Sequence, residues 1–151
     1  MFTKQNVSID YNVQSKEYRV LITTQNSILM YEVWNSKKII NKRTATELSL
    51  AQFVDLINIY NSTHAIKYTP TTIVDFGSSL HVLILTRAEL DECGNVFFYL
   101  KKNSVVFTNK LEKINSELPF GNYKNVRFDI DPSPTLTSPG RANDDGPTPD
   151  R

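Results

Sequence analysis

From Val7 the chain alternates between apolar and polar positions. VSIDYNV puts Val7, Ile9, Tyr11 and Val13 on one face, the period-two pattern of a half-buried strand. EYRVLITT (17–24) continues the pattern and meets a predicted turn at Gln25-Asn26. SILMYEVW (27–34) forms a third run, closed by the polar NSKK, and KIINKRTATEL (38–48) forms a fourth. Their lengths suit a meander of four antiparallel strands.

The rhythm changes at Ser49. SLAQ is a capping box, in which Ser49 accepts from the amide of Gln52 and the Gln52 side chain reaches back. Leu50, Phe53, Ile57 and Tyr60 follow at helical spacing, with Val54, Leu56 and Ile59 widening the stripe. Asn61-Ser62 and Pro70 predict an end to the helix. Such a wide stripe fits a deeply buried helix, or one that packs on its sheet and also on a partner helix.

The same order is predicted again. TTIVDF (71–76) ends at Gly77-Ser78-Ser79, LHVLILTRAEL (80–90) is long and branched, and DECGN is a turn. NVFFYLKKN and SVVFT (104–108) read as strands. Thr108 then caps a predicted helix in NKLEKINSEL, with Leu111, Ile114 and Leu118 on one face and Pro119 as its stop. Residues 121–130 add a short final strand. The predicted class is α+β: tandem ββββα repeats at about 2–66 and 70–120, giving two antiparallel sheets with packed helices in one domain of 1–130.

Residues 131–151 break with this pattern. They hold five of the seven prolines and almost no apolar side chains, so they are expected to form a disordered acidic tail. The net charge of +1 hides the split, because five acids and two arginines lie in 129–151, leaving 15 basic and 11 acidic residues in 1–128. A modestly basic body is compatible with nucleic-acid binding. The start of the chain has no apolar targeting core and carries Asp10, and the one cysteine suits a reducing compartment, so an intracellular location without signal or transit peptide is expected. No run approaches the ~18 apolar residues of a membrane span.

Single-strand binders need cations for phosphates and flat rings for bases. Trp34 ends its run beside Lys37 and Lys38, with Lys42 and Arg43 on the next strand. The alternative is that Trp34 caps the core and the lysines form a solvated hairpin tip. Phe97, Tyr99 and Lys101 share one face opposite Val96, Phe98 and Leu100, with Lys102 following. His81, Leu83, Leu85, Arg87 and Glu89 share a face of the preceding run. Either Phe97, Tyr99, Lys101 and Arg87 line a nucleic-acid surface, or that second face packs on the first repeat.

Catalytic signatures are weak, and no enzyme activity, metal or cofactor is expected. His64, His81 and Cys93 supply neither a zinc set nor a triad. Cys93 lies beside two acids, which disfavour a thiolate. The carboxylate pairs Asp91-Glu92 and Asp129/Asp131 fall in a turn and near the tail, and only five glycines are present, with no phosphate-cradling loop.

YEVW (31–34), the basic KKIINKR (37–43) and LSLAQFVDLINIY (48–60) together resemble the positive cofactor four family of single-stranded DNA-binding coactivators. Two such units, with HVLILTRAELDECGNVFFYLKK (81–102) and SVVFTNKLEKI (104–114) as the second, resemble the Whirly family and the trypanosomatid guide-RNA-binding proteins. The resemblance spans roughly residues 2–120. Where Whirly proteins carry Lys-Gly-Lys-Ala-Ala-Leu, TKQNVSI keeps only Lys4. The resemblance implies a Whirly-like fold, homo-oligomers, and binding of single-stranded DNA or RNA with little sequence preference, in replication, transcription or RNA processing. The expected mechanism is electrostatic capture by Lys37, Lys38, Lys42, Arg43, Arg87, Lys101 and Lys102 with stacking by Trp34 and Tyr99, the acidic tail either competing for the basic surface or recruiting a protein partner. A protein-interaction module without nucleic acid is the competing expectation.

Overall fold

The computed structural model describes residues 1–24, 28–35, 42–102 and 115–131, and for 31–35 and 42–46 the backbone alone. Its elements run β1 (Phe2–Asn12), β2 (Glu17–Ile22), β3 (Ile28–Asn35), β4 (Lys42–Ser49), α1 (Leu50–Thr63), β5 (Thr71–Asp75), β6 (Leu80–Leu90), β7 (Val96–Lys102) and β8 (Gly121–Ile130).

The strands join in the order β2-β7-β6-β5-β8-β1-β3-β4, and β2 pairs with β1 as well. That extra pairing closes β1, β2, β7, β6, β5 and β8 into an antiparallel barrel, which removes the free edges of those six strands. Cross-strand partners from Asn12 run through Glu17, Lys101, Ile84 and Thr71 to Asp131, beside the start of β1. One circuit therefore returns near the opposite end of the same strand, so the strands are steeply staggered, as closure of a narrow barrel requires.

Alternation supplies the interior. Val7 and Ile9, Tyr18, Val20 and Ile22, Val74, Leu83 and Leu85, Phe98 and Leu100, and Val126, Phe128 and Ile130 are all buried. The helix completes the core. The Ser49–Gln52 capping box forms in both directions at 3.1 Å and starts α1 directly from β4. Leu50, Phe53, Val54 and Ile57 are buried, and Phe53 meets Phe98 edge-on at 6.4 Å. Phe98 in turn meets Phe128 at 5.7 Å, so an aromatic chain links the helix to the far side of the barrel.

This architecture overturns the tandem ββββα expectation. The fold is mostly β, with one closed barrel and, among the described residues, a single helix, in place of two sheets with packed helices. The reason lies in pairing. β2 of the predicted first unit lies on β7 of the second, and β1 lies on β8, so neither unit has a sheet of its own. The 121–130 strand, expected as a late addition, sits between β1 and β5 and completes the ring.

The predicted second helix is also corrected where it can be seen. Its cap Thr108 and the SVVFT strand lie outside the described residues, as do 109–114. Residues 115–118 are not helical: Asn115 bridges His81, and Leu118 is buried. α1 packs on β6, β4, β3 and β7 rather than on a second described helix, and Gln52, Asp55, Asn58 and Ile59 on its outer side are exposed. The predicted tail, apart from Asp131, lies outside the described residues.

Candidate nucleic-acid interface

β6 does not keep the face that strict alternation assigns it. His81, Leu83 and Leu85 are buried, but the pairing with β7 shifts between Leu85 and Arg87. The extra residue, Thr86, forms a bulge that turns the strand by one position. Arg87 and Glu89 therefore emerge on the outside while Ala88 is buried. The predicted common face of His81, Leu83, Leu85, Arg87 and Glu89 is thus divided, and Arg87 joins Phe97, Tyr99 and Lys101 on the outer surface.

Register then aligns these residues across four strands. Asp10 pairs with Arg19, Arg19 with Tyr99, and Tyr99 with Arg87, making one row across β1, β2, β7 and β6. The next row pairs Asn12 with Glu17 and Glu17 with Lys101. Arg87 lies 3.7 Å over the Tyr99 ring, and Arg19 lies 5.0 Å over Phe97. Guanidinium groups over aromatic faces are attracted by the ring quadrupole.

Each arginine also has an acidic partner. Arg19 pairs with Asp10 at 3.6 Å. Arg87 donates to Glu89 through Nη1 and meets Glu17 through Nη2 at 3.4 Å. The Glu17 side chain is only 10% exposed, and its second oxygen accepts from the Thr86 hydroxyl at 2.7 Å. Tyr99 donates its phenol proton to Glu89 at 2.9 Å. Burial first, and then Glu89, raise the Tyr99 phenol above its ordinary pKa.

Arg19, Arg87 and Lys101 on this face are matched by Asp10, Glu17 and Glu89. The face is aromatic and charged but electrically balanced. Asp10, Tyr11, Asn12, Glu17, Arg19, Arg87 and Tyr99 surround an open hollow of about 620 Å³. Lys101 and Lys102 are exposed at the end of β7.

The other predicted residues lie on the appended hairpin. β3 meets β1 through the pair Phe2–Met30, so Tyr31–Asn35 run past the first residues of β1. At ~3.3 Å per residue this part extends by roughly 16 Å. Backbone register pairs Trp34 with Arg43 and Asn35 with Lys42, and paired residues are nearest neighbours across the strands. Lys37 and Lys38 lie outside the described residues. The predicted binding residues thus divide into a hairpin group (Trp34, Lys42, Arg43) and a barrel-face group (Arg87, Tyr99, Lys101, Lys102).

The chain matches no family model, no curated protein and no solved structure.

Of the acids on the barrel face, only Glu89 was read from the sequence, on a common strand face with Arg87. Asp10, Glu17 and Arg19 also belong to this network; Glu17/Arg19 and Arg87/Glu89 are charges two positions apart in a strand, whereas Asp10 stands between Ser8 and Asn12. A second hollow, of about 790 Å³, opens beside Leu21, Ile28, Leu50, Cys93 and Val96, and among the described residues no charged side chain lines it. Among the described residues no group of three His, Cys, Asp or Glu side chains could hold a metal, and no helix is long and apolar enough to cross a membrane.

Proposed function

We propose that the protein binds single-stranded DNA or RNA with little sequence preference. The observation that carries this reading is the pairing of Trp34 with Arg43 and of Asn35 with Lys42 on a hairpin that runs past the barrel. An aromatic position paired across the strands with a cationic one supplies what a stacked base and its phosphate require, and base stacking is worth ~1–3 kcal/mol by alanine substitution. The resemblance to single-strand binders supports it through the hairpin residues alone, since the fold differs. On this reading Tyr99, Arg87, Lys101 and Lys102 take a further stretch of the same strand.

The test is fluorescence anisotropy of a labelled strand of about 30 nucleotides, longer than the ~4–16 bound by one module, with duplex as competitor and a salt series. Preference for the single strand, a loss of affinity with salt, and weaker binding in Trp34→Ala and Arg43→Ala are the expected results. Each phosphate neutralised contributes about −0.7 to the log–log salt slope. Absence of binding at low salt overturns the reading.

The charge balance of the barrel face favours a second reading, a protein-interaction module. Aromatic and arginine residues are enriched in protein contact surfaces, and the matched acids leave this face without the positive excess that phosphate capture uses.

A further inference from the structure

Glu89 holds the position an incoming anion would take on the barrel face. Its two oxygens accept from two different donors, Oε1 from the Tyr99 hydroxyl at 2.9 Å and Oε2 from Arg87 Nη1. A phosphate oxygen pair would use the same donors. We propose that Glu89 is an intramolecular competitor for strand phosphate, a carboxylate that must leave the Arg87–Tyr99 pair before a nucleotide can engage it. This deepens the single-strand reading above and rests on it.

The charges around Arg87 make the competition effective. One guanidinium lies between two carboxylates, Glu17 and Glu89, so on a face that is balanced as a whole Arg87 carries no excess positive charge with which to attract phosphate. The two acids differ in their freedom to leave. Glu17 is nine-tenths buried and held by Thr86, whereas the Glu89 side chain is 47% exposed. Removing Glu89 leaves Arg87 neutralised by Glu17 alone and frees both the Nη1 and the phenolic donors. The Thr86 bulge is what allows this, because it puts Arg87 and Glu89 on the outside, two positions apart, beside Tyr99.

The test compares Glu89→Gln with Glu92→Gln, which removes an equal charge from the exposed turn between β6 and β7. Single-strand affinity is measured by anisotropy on the full chain. Glu89→Gln is expected to bind two- to fivefold more tightly, the range that ~0.4–1 kcal/mol of released surface ion pairing allows. Its salt slope should steepen by about 0.7, one phosphate contact. Glu92→Gln should leave affinity within 1.5-fold of the parent, and adding Arg87→Ala to Glu89→Gln should abolish the gain. If Glu89→Gln binds like the parent while Trp34→Ala still weakens binding, the competition is refuted and the single-strand function stands. Equal tightening by both glutamine variants also refutes it, because the effect is then net charge alone. If the parent chain and Glu89→Gln both fail to bind at low salt, the function itself falls and the competition with it.

Discussion

Arg87 lies 3.7 Å over the ring of Tyr99, and the same guanidinium lies 3.4 Å from the buried carboxylate of Glu17. Arg87 therefore has a structural task whatever the face binds. Replacing it with alanine removes a ring contact worth ~0.5–1 kcal/mol and leaves Glu17, among the described residues, with the Thr86 hydroxyl as its side-chain partner. The expected loss of stability is about 1 kcal/mol, because the guanidinium itself is half exposed. Urea unfolding followed by circular dichroism measures it. Arg87→Lys should recover only part of the loss, since an ammonium lacks the planar face that stacks on a ring.

Phe53 is expected to be the most sensitive position of α1. It is fully buried and touches Phe98 edge-on. Phe53→Ala should cost about 3–5 kcal/mol, enough to unfold much of a marginally stable domain. Ile59→Ala on the exposed side of the same helix should stay within about 0.5 kcal/mol of the parent. Thermal unfolding of the two variants side by side tests whether the helix is held by the barrel core.

The strand-to-helix junction can be tested separately. Ser49→Ala removes the acceptor for the Gln52 amide and should cost about 1 kcal/mol. Ser49→Gly should cost only a few tenths, because glycine leaves the amide open to water. Equal losses in both variants would show that the cap contributes little.

Asp91 gives a pH dependence of known sign. Its side chain accepts from the Asn95 amide group and from the backbone amides of Cys93 and Asn95. These bonds, led by the Asn95 side chain, hold its carboxyl below the ordinary value near 3.8. A carboxylate lowered by folding contributes stability above its unfolded pKa and loses it as pH falls through the folded one. The β6–β7 turn should therefore loosen only on acidification below about pH 4. Carboxyl chemical shifts recorded against pH should show Asp91 titrating below its ordinary value, and Asn95→Ala should move it upward.

Tyr99 gives the opposite sign at high pH. Burial and Glu89 favour its neutral phenol, so its contribution is complete below the ordinary tyrosine pKa and is lost as pH rises through the raised one. Glu89→Gln should bring the Tyr99 titration back toward the ordinary value. A titration unmoved by that substitution would mean that the Tyr99–Glu89 hydrogen bond is not populated in solution.

The strands and the first helix were legible because their signals are local. A period of two in VSIDYN, EYRVLI, LHVLIL and VFFYL marks strands and most of their inward positions, and SLAQ marks the start of α1 before any contact is known. The hairpin pairing of β3 with β4 also follows from proximity along the chain. The second helix was misjudged at Leu118, whose apolar side chain is buried from a non-helical segment rather than from a helical face.

Partner choice was not local. Alternation says that β2 has an apolar face but not that the strand lies on β7, 74 residues or more further along the chain. Two sheets and one barrel can be built from the same list of strands. Closure is decided by which edges find each other and by the stagger that lets β1 meet both β2 and β8. The Thr86 bulge is tertiary for the same reason, since it exists only relative to the register of β7. The sequence alone determined which of the described segments are strands and where the helix begins. Only the tertiary structure decided that those strands form one barrel, and that Arg87 reaches the surface between two carboxylates, because pairing and register are relations between distant segments that no local period encodes.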